Sequence, residues 1–282
     1  MAEDELAMKQ QKRDKNFRII AICTMILVLS FVGVTSAKTW YVDDDGGADF
    51  TGIQDAINAA NAGDRIIVRD GTYVENVVMN KRLTIQSENG SDSTIVLAED
   101  SNVHAFNVTT NYVEITGFTV GGATGVEEYW PKAGILCAGI YLYFVDFCNI
   151  SNNNCPNNRY GIWIKSSNNN SITNNNCSNN GDYEICFGYS NSNIIYLNNF
   201  IDNGDENAGS FFSANFWNST EKIIYNGTTY TGYFGNYWSD YEERYPDAEE
   251  IGSTGIWDTP YSIHGDKDNY PLTMRFEEYI KL

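Results

Sequence analysis

Tyr141 and Trp163 stand 22 residues apart, Lys165 follows the second ring by two, and Asp182 lies further along the same Asn-rich region. Aromatic faces beside amide and charged side chains are suited to sugars, whose rings have apolar faces and hydroxyl edges. Cleaving a sugar polymer asks for more. An inverting hydrolase needs two carboxyl groups about 6.5–9.5 Å apart, and between Gly139 and Asn203 the acidic residues are Asp146, Asp182, Glu184 and Asp202. A lyase needs a base beside a cation, for which Arg159 or Lys165 with Asp182 is the best arrangement on offer. The residues therefore favour binding or a structural role, with a polysaccharide-acting enzyme, lyase before hydrolase, as the alternative.

Metal chemistry has thin material. Copper(I) prefers thiolate and thioether, and copper(II) prefers imidazole. The two histidines, His104 and His264, are far apart in sequence and have no repeated partner. Calcium takes carboxylate and carbonyl oxygens. Its candidates are Asp240, Asp247 and Asp258, with Glu249 and Glu250 between them, and the acidic knot of Asp43, Asp44, Asp45 and Asp49. A solvated acidic loop is the plainer explanation of both.

The elements that would position these groups repeat. ISNNNCPNNRYGIWIK from Ile150 overlies ITNNNCSNNGDYEICF from Ile172, and IYLNNFIDN follows from Ile195. Ile150, Ile172 and Ile195 share one column, Cys155, Cys177 and Phe200 a second, and Asn158, Asn180 and Asn203 a third, at offsets of 22 and 23. Short apolar runs between polar turns at this period imply stacked coils, none of which can bury its apolar side alone. The Leu pattern of leucine-rich repeats is absent, and turns every five to eight residues leave no space for helices, so a single-stranded parallel β-helix fits best. Like residues then stack along the axis at about 4.8 Å. Columns Asn153, Asn175, Asn198 and Asn154, Asn176, Asn199 can pass amide hydrogen bonds between coils. With Ile140 and Ile162 facing inward, Tyr141 and Trp163 face outward as a ladder of rings open to solvent.

An acidic balance of 37 Asp and Glu against 18 Lys and Arg, net −19, excludes a nucleic-acid partner, which needs clustered Arg and Lys. It favours neutral or cationic glycans over uronates. Residues 1–37 read as a signal peptide or N-terminal anchor: five basic residues up to Arg18, an apolar run from Ile19 to Val34, then Thr35-Ser36-Ala37. Cleavage before Lys38 gives a secreted or surface protein, whereas an uncleaved segment gives the chain its one contact with a membrane. Losing Cys23 leaves five cysteines, an odd number that cannot all pair within the chain. Sequons begin at Asn89, Asn107, Asn149, Asn169, Asn176, Asn218 and Asn226. Asn89, Asn107, Asn149, Asn218 and Asn226 are the glycosylation candidates, and ladder packing argues against Asn176.

Two strings carry a family resemblance. ADFTGIQDAINAANAGDRIIVRDGTYVENVVMNKRLTI, from Ala48, resembles the opening of pectin-lyase-like β-helix proteins, including pectin methylesterases and NosD-type proteins. FWNSTEKIIYNGTTYTGYFGNYWSDY, from Phe216, with WDTPYSI and DNYPL after it, is similar to the C-terminal part of NosD-like proteins described as periplasmic and copper-binding and common among archaeal surface proteins. The resemblance implies a right-handed parallel β-helix outside the cell, and a role in copper-site assembly as a further alternative. It departs from the family at Glu242 to Ile256, where an Asp-Gly-rich calcium loop is usual. The expected organisation is all-β: 38–65, an N-terminal strand and capping helix on Ile53, Ala56, Ile57 and Ala60; 66–216, the coils; 217–282, an aromatic-rich C-terminal cap. Polysaccharide or cell-envelope glycans are the expected partners.

Overall fold

The computed structural model describes residues 36–127, 135–202, 206–225 and 230–280, and the elements lie in the unit Lys38–Leu282. The proposed leader, the third-column residue Asn203 and the sequon residue Asn226 lie outside the described residues. The chain winds as a right-handed parallel β-helix of about seven turns, each turn giving one short strand to each of three sheets. Among the described residues these sheets hold eight, seven and six parallel strands. Pairing extends beyond 66–216 at both ends. Thr39–Val42 pairs with Arg65–Val68 in the first sheet, and Tyr237–Trp238 adds to the second beside Asn199–Ile201.

The apolar files close the core. Ile66, Ile85, Ile115, Ile150, Ile172 and Ile195 stand in register on consecutive coils of the first sheet, all fully buried. Phe106, Ile140, Ile162 and Ile185 do the same in the third sheet, and Cys155, Cys177, Phe200 and Trp238 in the second. The spacing is regular only after Asn149. The coil between Glu114 and Asn149 is longer, because the hairpin Val126–Glu127 with Ile135–Leu136 grows out between its second and third strands.

Corners explain the abundance of Asn. Each begins with a residue in the left-handed region, which Asn enters at lower cost than most side chains: Asn152 and Asn174 at one corner, Asn157 and Asn179 at the next, all near φ +56. The following residue turns its side chain inward and serves the backbone of the coil before it. Asn153 Oδ1 accepts from Phe118 N, Asn175 Oδ1 from Asn153 N, Asn198 Oδ1 from Asn175 N and Asn236 Oδ1 from Asn198 N, at 2.9–3.2 Å. Each amide also donates through Nδ2 to the next amide's Oδ1, and the file ends where Asn236 Nδ2 meets the Asp268 carboxylate at 3.2 Å. A second file runs from Asn158 through Asn180 to the carboxylate of Glu184. At the third corner Asn170, Asn193 and Asn215 form another, and Ser167, Ser190 and Ser213 a fourth.

Both ends of the core are covered. The helix Ile53–Ala59 lays fully buried Ile53, Ala56 and Ile57 on the first coil, with Ala60 beside them. Glu75 accepts from the N–H groups of Ile53 and Gln54 at its start, and Lys81 Nζ donates to the carbonyls of Ile57, Asn58 and Ala60 at its end, so its exposed backbone groups are met. At the far end Trp217, Trp238, Tyr241 and Tyr261 are buried, with Trp238 stacked on Tyr261 at 4.0 Å. Asp268 accepts there from Asn236 N, Trp238 Nε1 and Tyr270 N.

Candidate functional site

The strands Ala138–Tyr143, Tyr160–Lys165 and Tyr183–Gly188 lie side by side in the third sheet, with Tyr141, Trp163 and Cys186 in one outward file and Tyr143, Lys165 and Gly188 in the next. Strand alternation places these outside because Ile140, Leu142, Ile162 and Ile164 are held inside. The rings continue into a strip along the axis. His104 stacks on Tyr141 at 4.1 Å, Tyr141 meets Trp163 at 4.8 Å, Trp163 meets Tyr160 at 5.2 Å, and Tyr160 meets Tyr183 at 5.7 Å. Tyr183, Phe211 and His264 carry it on at 6.0 and 4.8 Å. Only Tyr141 and Trp163 of these rings belonged to the sequence ladder; Tyr160 and Tyr183 are in register with each other at the start of the strands, and His104, Phe211 and His264 lie outside the outward file of Tyr141 and Trp163.

The ladder is less open than the alternation implies. Tyr141 is only 4% exposed, since His104 from the preceding coil covers it on one side and Trp163 on the other, with Leu136 of the hairpin packed against the same cluster. This corrects the expectation of a solvent-facing Tyr141. Trp163 stays half-buried, and Lys165 Nζ hangs 5.3 Å from its ring and 5.9 Å from that of Tyr143. Burial lowers the His104 pKa to about 4, so the ring is neutral near pH 7. Its Nδ1 accepts from Ala138 N, which places the proton on Nε2.

Lys165 and Asp182 do not converge. Lys165 ends the strand Tyr160–Lys165, whereas Asp182 precedes Tyr183, the partner of Tyr160 at the other end. Six residues along the strand direction separate them, about 20 Å at 3.3 Å per residue. Asp182 is instead paired with Arg159 at 2.9 Å. Glu184, the next acidic residue, points inside and is fully buried.

Asp240 and Asp258 at the C-terminal end, and Asp43, Asp44 and Asp49 at the N-terminal knot, are occupied within the fold. Asp240 accepts from Tyr261 Oη, Asn207 Nδ2 and Arg244 Nη1. Asp258 accepts from Glu249 N and Thr259 Oγ1, and Asp247 is exposed. In the N-terminal knot Asp43 pairs with Arg69, Asp44 accepts from Thr72 N, and Asp49 accepts from Tyr41 N. Among the described residues no three His, Cys, Asp or Glu side chains gather as a metal site.

The sequons differ in access. Asn89 is exposed, while Asn107, Asn149 and Asn218 are half-buried. Asn107 lies on the same outer face, in register with Tyr141. The Nδ2 of Asn176, the atom a glycan would join, donates to Asn154 Oδ1 at 3.2 Å.

Residues 131–243 match the family described as "Periplasmic copper-binding protein (NosD)". The chain is 33% identical over 135 residues to a cell surface glycoprotein of Methanothermus fervidus, a match spanning 47% of this chain and 20% of the glycoprotein. Among solved structures it is similar to a pectin methylesterase in complex with a hexasaccharide, with TM-score 0.45 and 14% identity over 72% of this chain and 65% of the other. It is also similar to an alginate lyase from Paenibacillus sp., with TM-score 0.40 and 14% identity over 63% of this chain and 76% of the lyase. The donor set does not fit copper. Cys137, Cys148, Cys155, Cys177 and Cys186 are buried thiols outside any disulfide, and burial pushes the Cys148 thiol up to about 11 and raises those of Cys177 and Cys186 as well. His104 and His264 sit at opposite ends of the strip of rings.

Proposed function

We propose that this NosD-like parallel β-helix protein is an exported surface module that binds neutral glycans on the outer face of its third sheet. The observation that carries the reading is Trp163, a half-buried ring set in a rigid strip of packed aromatics with Lys165 beside it and the Arg159–Asp182 pair at the far edge. Such a face offers apolar contact to a pyranose ring and hydrogen-bonding groups to its hydroxyls, and the strip costs no ordering on binding because its neighbours already hold it. The similarity to a cell surface glycoprotein supports a place at the cell surface or in the envelope. The net charge of −19 supports neutral over uronate ligands.

The test is glycan-array binding by the full chain, followed by titration of the glycans that bind. Trp163→Ala should weaken binding about tenfold, roughly 1.4 kcal/mol, with the fold intact by circular dichroism. Equal binding by the variant, or no glycan bound by the parent chain, refutes the site. The same samples, assayed for unsaturated products from uronate polymers, address cleavage. Turnover that disappears in Lys165→Ala would make the protein a lyase.

A further inference from the structure

Resting on the carbohydrate reading, we infer that a one-rung gap in an exposed column of aromatic side chains forms a slot for a single neutral pyranose ring, which extends the proposed site around the corner of the helix. The column lies where the third sheet turns into the first. Phe144, Ser166, Tyr189 and Phe212 occupy the same position on four consecutive coils, with φ of 53, 50, 54 and 51. Phe144 N donates to Lys165 O, Ser166 N to Gly188 O and Tyr189 N to Phe211 O, one coil at a time.

Three features of this column call for an explanation outside the core. Bulky side chains rarely enter the left-handed region, and the other two corners mostly use Asn there. Phe144, Tyr189 and Phe212 are 66%, 60% and 79% exposed, so burial does not stabilise them. Where neighbouring rungs both carry rings, the rings close on each other: Tyr189 and Phe212 stack at 5.0 Å and 9°, and Tyr112 and Phe147 in the adjoining column at 5.2 Å and 11°. Strained, exposed and preorganised groups of this kind mark binding sites.

Ser166 interrupts the column. Phe144 and Tyr189 are therefore two rungs apart, about 9.6 Å at 4.8 Å per rung. A flat ring above Ser166 would lie about one rung from each of them, close to the spacing at which the filled rungs stack. The occupant must have apolar faces and a polar rim. Lys165 precedes Ser166, and Asp146 and Asn168 stand beside it, joined by the bond from Asn168 N to Asp146 Oδ1 at 2.7 Å. A pyranose meets this description. Asp146 disfavours a uronate, and a net charge of −19 on each chain disfavours insertion of a ring from a second copy. Tyr143 joins slot and strip, touching Phe144 edge-on at 4.4 Å and Tyr141 at 5.6 Å.

The test uses the full chain from a host without N-glycosylation and a panel of neutral glucose, mannose and N-acetylglucosamine oligosaccharides. Phe144→Ala and Tyr189→Ala should each weaken binding about tenfold, with Phe144→Tyr close to the parent. Ser166→Tyr, which supplies the missing ring, should abolish binding and leave the melting temperature equal or higher. If Ser166→Tyr and both alanine variants bind like the parent while Trp163→Ala does not, the slot is wrong and the carbohydrate reading stands. If the parent binds none of the panel and nothing on the array, both fall.

Discussion

Glu184 shows how one side chain can set the pH response. Burial raises its pKa from 4.5 to about 7, although Asn180 opposes the shift by donating to it. The folded state thus favours the protonated acid. Its contribution to stability is whole below about pH 4.5, is lost as pH rises towards 7 and stays lost above, a difference of about 3 kcal/mol. Glu184→Gln should be more stable than the parent at pH 8, equal to it at pH 4, and show a shallower melting profile between. Asp268, raised to about 7 by burial against four N–H donors, acts in the same direction and leaves a residual slope. Neither role was readable from sequence. Glu184 receives the Asn180 amide from only four residues away, outside the 22-residue register, and Asp268 lies where the repeat has ended.

The corner amides give the sharpest test among the elements. Asn175 accepts from Asn153 N and Nδ2 and donates to Ile150 O, Thr173 O and Asn198 Oδ1, with no exposed surface. Asn175→Ala strands the buried Asn153 N–H at about 1–3 kcal/mol, so denaturant unfolding should show a loss of that size. A loss below 1 kcal/mol would mean that water replaces the amide. This part of the fold was legible: equal residues 22 or 23 apart gave the files of Ile150, Ile172 and Ile195 and of Asn153, Asn175 and Asn198, and both stand in register. The continuation to Asn236 was hidden because 38 residues separate it from Asn198. The state of Tyr141 was hidden for a like reason. His104 covers it from an irregular coil, 37 residues earlier. The exposed column escaped too, since a backbone angle at a corner decides which way Phe144 and Tyr189 point.

For the whole molecule the governing quantity is the charge, 33 Asp and Glu against 13 Lys and Arg in residues 38–282, carried by a stack in which each coil touches only its neighbours. Ionic screening has a length of about 10 Å at 0.1 M salt. Affinity for neutral oligosaccharides should therefore change less than twofold between ~0.05 M and ~0.5 M NaCl. Alginate or polygalacturonate should bind, if at all, only at the upper end, and binding of either polymer that weakens with salt would refute the acidic-surface account.

The file from Asn153 to Asn236 also has a direction. Each amide takes a hydrogen bond from one side and hands one on, but the carboxylate of Asp268 takes without handing on. Asp268 is thus a terminator written into the sequence. Duplication of whole units between Ile150 and Asn199 would lengthen the protein without breaking its amide grammar, while a unit appended beyond Asn236 would find no donor to continue from.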